Sequence, residues 1–113
     1  MDKISVEKDS IRNHIDTIIL CLLSERDRYG YEMYKEVLDR TQGAYELKEP
    51  SMYSAIRRLE EAKLISSYWG DESQGGRRKY YHLAPEGETA YQRSVQEWEN
   101  VKLIMDKILK QTV

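Results

Sequence analysis

Apolar side chains recur along this chain with a helical period in four places, and cluster as strands do in a fifth. Ile11, Ile15, Ile18, Ile19, Leu22 and Leu23 stand at i, i+4, i+7 and i+8 spacing, which predicts a helix over about 10–24. The charged turn Glu25-Arg26-Asp27-Arg28 follows it. A second stripe, Tyr31, Met33, Tyr34, Val37 and Leu38, predicts a helix from Gly30 to Thr41, with Gln42-Gly43 as its stop. Residues 43–47 offer at most a small edge strand. A third helix begins at Pro50, which suits a first helical turn, and runs to about Lys63. Met52, Ile56 and Leu59 form its apolar face with Leu64 just beyond, while Ser51, Ser54, Ala55, Arg57, Arg58 and Glu61 are expected to point away.

Between Leu64 and Leu83 the period changes. Ile65, Tyr68, Trp69, Tyr80 and Tyr81 are strand formers, and Gly75-Gly76 supplies the positive φ that a hairpin tip needs. Arg77, Arg78 and Lys79 leave that tip. Alternation places Arg77 and Lys79 on one face, with Tyr80 or Tyr81 turned to the core, so at least one of the three basic residues is expected to be structural. A last helix from Pro85 onward spans roughly 27 residues, or about 40 Å at 1.5 Å per residue. Tyr91, Val95, Trp98, Met105, Leu109 and Thr112 recur along it at four- and three-residue spacing, interrupted by Lys102 and widened by Val101, Ile104 and Ile108. No later element covers this stripe. It either folds back on the first helix or packs against a second chain, and dimerisation is the expected use.

Three helices, a hairpin and a long helix make a mainly α fold with a small β-hairpin (α+β), in winged helix-turn-helix order. One compact domain is expected, with residues 1–84 as the winged helix-turn-helix and 85–113 as a dimerisation helix. The 113-residue length suits one such unit with a modest core.

Composition narrows the chemistry. Charged residues make up 34% and the net charge is −2, so any nucleic-acid surface must be local. The lone Cys21 lies in an apolar run and excludes an intrachain disulfide. Neither a signal peptide nor a membrane span is apparent, so a cytoplasmic protein is expected. His14 and His82 lack nearby partners at metal-ligand spacing, and Gly75-Gly76 lacks a phosphate-loop context. No convergent nucleophile, base or metal site emerges, so neither an enzyme nor a cofactor protein is expected.

In a helix-turn-helix, the helix after the turn enters the major groove with its N-terminal half. Here that half holds Ser51, Tyr53 and Ser54, followed by Arg57, with Lys48 just before it. Small and hydroxyl side chains permit close approach, and Lys48 and Arg57 suit phosphates. Tyr53 serves equally as a backbone contact or a core aromatic, and Tyr31 leans toward the core. Gln74, Gly75 and Gly76 of the wing tip suit an adjacent minor groove, and Arg77 and Lys79 suit the backbone. Arg58 suits a pair with Glu61 or Asp71.

These residues carry a resemblance. The run Pro50-Ser51-Met52-Tyr53, then Ile56-Arg57-Arg58-Leu59-Glu60-Glu61, Leu64-Ile65, Gly75-Gly76-Arg77-Arg78-Lys79-Tyr80-Tyr81, Leu83 and Gly87 resembles the PadR-like transcriptional regulators. Residues 65–81 look most like the LmrR-type multidrug-responsive repressors, which have one C-terminal helix. The resemblance implies a homodimer on a near-palindromic operator, commonly in its own promoter. It also implies an aromatic effector held at the dimer centre between partner copies of Trp98, beside Tyr91, Val95, Thr17 and Cys21. Lys102 departs from that pattern, since the drug-binding relative has an acid there and a lysine disfavours cations. Trp98 then serves as a ligand platform or simply as an interface anchor. The expected function is a sequence-specific DNA-binding repressor. The alternative is a winged-helix protein-interaction module without DNA affinity.

Overall fold

A computed structural model describes residues 4–70 and 76–110. Its elements are α1 (Lys8–Arg12), α2 (Ile15–Glu25), β1 (Arg28–Tyr29), α3 (Gly30–Arg40), α4 (Glu49–Glu61), β2 (Ile65–Trp69), β3 (Lys79–Leu83) and α5 (Pro85–Leu109). The architecture is mostly helical with one small antiparallel sheet, as the apolar pattern predicts. Two departures stand out.

The first helix is broken. The chain turns at Asn13-His14, where the His14 N–H bonds the Ile11 carbonyl at 2.7 Å, and α2 then starts afresh. Asn favours such local turns over helix interior. The second departure is a third strand. Residues 43–47 form none; instead Arg28 and Tyr29, in the segment read as a charged turn, pair with Tyr81 and Tyr80 of β3. The sheet order is therefore β1-β3-β2. Register across β2 and β3 runs from Ile65 opposite Leu83 to Trp69 opposite Lys79.

The core lies where α2 meets α4, α5 and β3. Ile19, Met33, Leu47 and Met52 are fully enclosed, each burial being worth about 1.5–3 kcal/mol. Ala55 belongs to this core rather than to the polar face of α4, because its methyl fills the close approach of α2. Tyr81, not Tyr80, is the strand aromatic turned inward, and burial pushes its phenol up to about 12.

Arg28 is the one buried charged residue of the described chain. Its Nε donates to the Leu22 carbonyl at 3.0 Å, Nη2 donates to Glu25 at 2.8 Å, and Nη1 lies 3.5 Å from Glu36. Arg40 bonds the same two carboxylates from the end of α3. These four side chains lash the end of α2 to β1 and α3, fixing the frame from which α4 is presented. Two charge-assisted hydrogen bonds and an ion pair with Glu36 make the burial of Arg28 tolerable.

The root of α5 is seated just as closely. Gly87 is buried against Leu64 and Leu83, and the Leu64 carbonyl accepts from the Ala84 N–H at 3.0 Å. Ala90 and Tyr91 complete the contact with the core, whereas beyond Trp98 the apolar side chains of the helix are exposed.

Candidate nucleic-acid interface

Helix α4 buries Met52, Ala55, Ile56 and Leu59 and exposes Pro50, Ser51, Tyr53, Ser54, Arg57 and Arg58. Lys48 precedes its first turn in extended conformation and is exposed. Ser51, Ser54 and Arg58 share one flank at i, i+3 and i+7. The opposite flank is set by Tyr53, whose hydroxyl lies over Gly30 at the start of α3. A methyl group on Gly30 would come within 2.2 Å of that oxygen, so the absent side chain is what lets α4 cross α3 so closely.

Tyr53 is 39% exposed, so its ring is partly packed and its edge open to a ligand. Tyr31 is not a core aromatic: it is 60% exposed and stacks on Tyr34 with ring centroids 6.0 Å apart. The Tyr34 hydroxyl in turn donates to Glu46 at 2.7 Å, and that bond raises its pKa. Tyr31, Tyr53 and Lys48 thus border α4 on the α3 side.

The wing carries its charges on both faces. Arg77 and Lys79 share a face with Trp69, which is 56% exposed, and the Arg77 guanidinium stands 5.6 Å from the Trp69 ring centre. Arg78 turns to the other face and lies 4.7 Å over the Tyr29 ring. All three basic residues are exposed, Arg77 and Arg78 each lying against an aromatic ring on opposite faces of the wing. Gly76 has φ +92°, the left-handed geometry expected of the tip; Gln74 and Gly75 lie outside the described residues.

Tyr29, Tyr80 and Tyr68 line up across the three strands. Tyr29 meets Tyr80 edge-on at 5.4 Å, and Tyr80 stacks on Tyr68 at 5.7 Å. Asp27 closes the row, accepting from the Tyr68 hydroxyl at 2.6 Å and lying 2.8 Å from His82 Nδ1. Burial pushes the Asp27 carboxyl up, but these two partners outweigh it and hold the group below its ordinary range. One carboxylate at the entry to α3 thereby ties both wing strands to the helix-turn-helix. Sequence reasoning missed it, because Asp27 stands 41 and 55 residues from its partners.

The expected effector residues also come together. Thr17, Cys21, Tyr91, Val95 and Trp98 line one apolar groove of about 710 Å³ with Ile11, His14, Ile18 and Arg40. His14 meets the Trp98 ring edge-on at 5.0 Å. Lys102 is outside the lining; it pairs with Glu99 at 3.1 Å and lies 5.9 Å from the Trp98 ring centre. The groove is bounded by α1, α2, α3 and α5 and opens to solvent, and Val101, Met105, Ile108 and Leu109 continue the apolar surface along exposed α5.

Arg58 pairs with Asp16 rather than with Glu61, and Asp71 lies outside the described residues. Its Nη2 lies 2.7 Å from Asp16 Oδ1, a partner 42 residues earlier that α2 brings alongside α4. Among the described residues no cluster of His, Cys, Asp or Glu could hold a metal ion, and no helix is long and apolar enough to cross a membrane.

An exposed helix after a tight turn, beside a basic two-stranded wing, is the arrangement of a winged-helix regulator. The family model for transcriptional regulators of the PadR-like family matches residues 19–93. The chain belongs to that family. A PadR-like protein of this kind is a transcriptional regulator and not an enzyme. The chain is 43% identical over 105 residues to an uncharacterised protein of Lysinibacillus sphaericus, covering 93% of this chain and 96% of that one. Among solved structures, a transcriptional regulator from Clostridium thermocellum is 44% identical, with TM-score 0.83 over 90% of this chain and 96% of its own. A PadR family transcription regulator from Clostridium difficile is 42% identical, with TM-score 0.76 over 85% and 98%.

Proposed function

We propose that this PadR-like regulator is a homodimeric repressor that binds duplex DNA sequence-specifically, at its own or a neighbouring promoter. The observation that carries the reading is the shared exposure of the polar face of α4 and of Arg77, Lys79 and Trp69 on the wing. Residues 1–84 form the reading part and 85–113 the dimerisation helix of one compact cytoplasmic domain. Ser51, Ser54 and Arg57 enter the major groove, with Tyr31, Tyr53 and Lys48 on its border. Gln74, Gly75, Gly76, Arg77 and Lys79 act in the wing against the flanking backbone and minor groove.

The dimer reading is supported by Trp98, Val101, Met105, Ile108 and Leu109, between 40% and 66% exposed on one helix. So long an apolar stripe is what a second copy covers. Two copies facing each other close the groove into a chamber, with Thr17, Cys21, Tyr91, Val95 and Trp98 as its walls. An aromatic effector there, as in the LmrR-type repressors, changes the spacing of the two α4 helices and so the DNA affinity. The groove lining holds Arg40 and His14 and no carboxylate, and Lys102 stands nearby. The ligand is accordingly neutral or anionic rather than cationic.

Fluorescence anisotropy tests the reading, with the protein titrated against its upstream DNA and a scrambled duplex across a salt series. Selective binding that weakens steeply with salt supports it. No binding to either duplex, with the dimer verified by sedimentation, would instead favour a protein-interaction module.

A further inference from the structure

Resting on the DNA-binding reading, the geometry points to a phosphodiester-binding subsite built by α1 and α4 together, at the flank of α4 opposite Tyr53. Arg12, Ile15, Pro50, Ser51, Ser54 and Arg58 line one depression of about 270 Å³. Two arginines and two serines line it together with the buried Ile15. Arginine pairs and serine hydroxyls match the tetrahedral, multiply accepting oxygens of a phosphate. The depression also sits at the first turn of the 13-residue α4, whose N-cap Lys48 makes no side-chain cap. The positive end of the helix dipole adds to the field, against the carboxylate of Glu49 in the same turn.

Position identifies which phosphate this is. A helix of about 10–12 Å diameter fills a major groove about 12 Å wide, so each of its flanks meets one DNA backbone. Tyr31, Tyr53 and Lys48 border the α3 flank. The other flank is the stripe Ser51, Ser54 and Arg58, and α1 delivers Arg12 to it. The break at Asn13-His14 separates α1 from α2, so Arg12 is carried on a short element of its own. Asp16 holds Arg58 at 2.7 Å before DNA arrives and keeps its guanidinium over the depression. The phosphate oxygen then competes with that carboxylate for the same donors.

The competition gives the test its sign. Anisotropy on a scrambled duplex at low salt suffices, because a phosphate contact acts on every sequence. Arg58→Ala and Arg12→Ala should each weaken binding about tenfold and lower the slope of log affinity against log salt by about 1 for each phosphate no longer neutralised. Arg58→Lys should keep most of the slope. Asp16→Asn should tighten binding several-fold, as it removes a negative charge and releases Arg58.

A structural ion pair predicts the opposite for that last variant: Asp16→Asn would weaken binding as Arg58→Ala does, and the subsite would be overturned. Unchanged slopes in both alanine variants, with wild-type protein binding normally, would also overturn it while leaving the regulator reading intact. Wild-type protein that binds no duplex would remove both. A parallel titration with inorganic phosphate separates the sources. Loss of phosphate binding in Arg58→Ala without loss of duplex affinity would make the depression a free-anion site and refute the backbone assignment.

Discussion

Replacing Gly87 by alanine separates helix propensity from packing, because the two predict opposite signs. Glycine in a helix is ordinarily a weakness, and alanine would return up to about 1 kcal/mol. At this position the added Cβ would stand 2.1 Å from the Leu64 carbonyl oxygen, 2.6 Å from Leu83 Cδ1 and 3.1 Å from the Leu64 carbonyl carbon. Two of the three neighbours are backbone. The carbonyl cannot swing aside freely, since it accepts the Ala84 N–H at 3.0 Å. Overpacking against such a wall costs about 1–3 kcal/mol, and taking the upper half of that range leaves a net loss of about 1–2 kcal/mol after the propensity gain. For a chain of this size that is a fall in Tm of roughly 5–10 °C. Differential scanning calorimetry at one fixed protein concentration measures it, the concentration being held because dimerisation shifts Tm. An unchanged or raised Tm would refute the seat of α5 against Leu64.

Three further outcomes follow from the same contacts. Replacing both Arg77 and Lys79 by alanine should weaken DNA binding and flatten its salt dependence, with the dimer mass in sedimentation unchanged. Arg28→Met should cost roughly 1–3 kcal/mol in urea denaturation, because it removes the donor to the Leu22 carbonyl and leaves Glu25 and Glu36 with Arg40 alone. Acid stability should depend on Arg40. Its hydrogen bonds hold the carboxyls of Glu25 and Glu36 below their ordinary 4.5, against the opposing effect of burial. The stabilisation is complete above 4.5 and is lost as pH falls through the depressed folded values, so Arg40→Gln should flatten the denaturation midpoint against pH in that acid range.

Periodicity made most of the fold legible: α4 buries the stripe that predicts it, α3 buries Met33 and Val37 of its own, and α5 forms where its stripe predicts although that stripe lies largely exposed. It reports only on neighbours along the chain, and the misreadings have that cause in common. Arg28 and Tyr29 form a strand of two residues, too short to alternate, and they do so because β3 arrives from far along the chain to pair with them. Arg28 sits in a run of four charges and looks solvated; only the fold surrounds it with acceptors. Ala55 is small enough to belong to either face of α4, and the approach of α2 decides. At the candidate interface, residue chemistry pointed to Arg57 and the wing pair because they are basic near a reading helix. Arg12 has no such context, as its proximity to Ser51 and Ser54 exists only after α1 has turned at Asn13-His14.

The seat at Gly87 has a mechanical meaning as well. Helix α5 has 25 residues and is clamped near one end, so it is an arm of about 37 Å whose fulcrum is the glycine. Leu64, against which the fulcrum bears, is bonded through its N–H to Leu59 of α4 at 2.9 Å and leads directly into β2. A tilt of about 5° at the seat moves the free end by about 3 Å over that length. Whatever grips the far half of the arm therefore sets the angle at which α4 and the wing are held, and a modest repacking there reaches the reading surface as rotation of a rigid body.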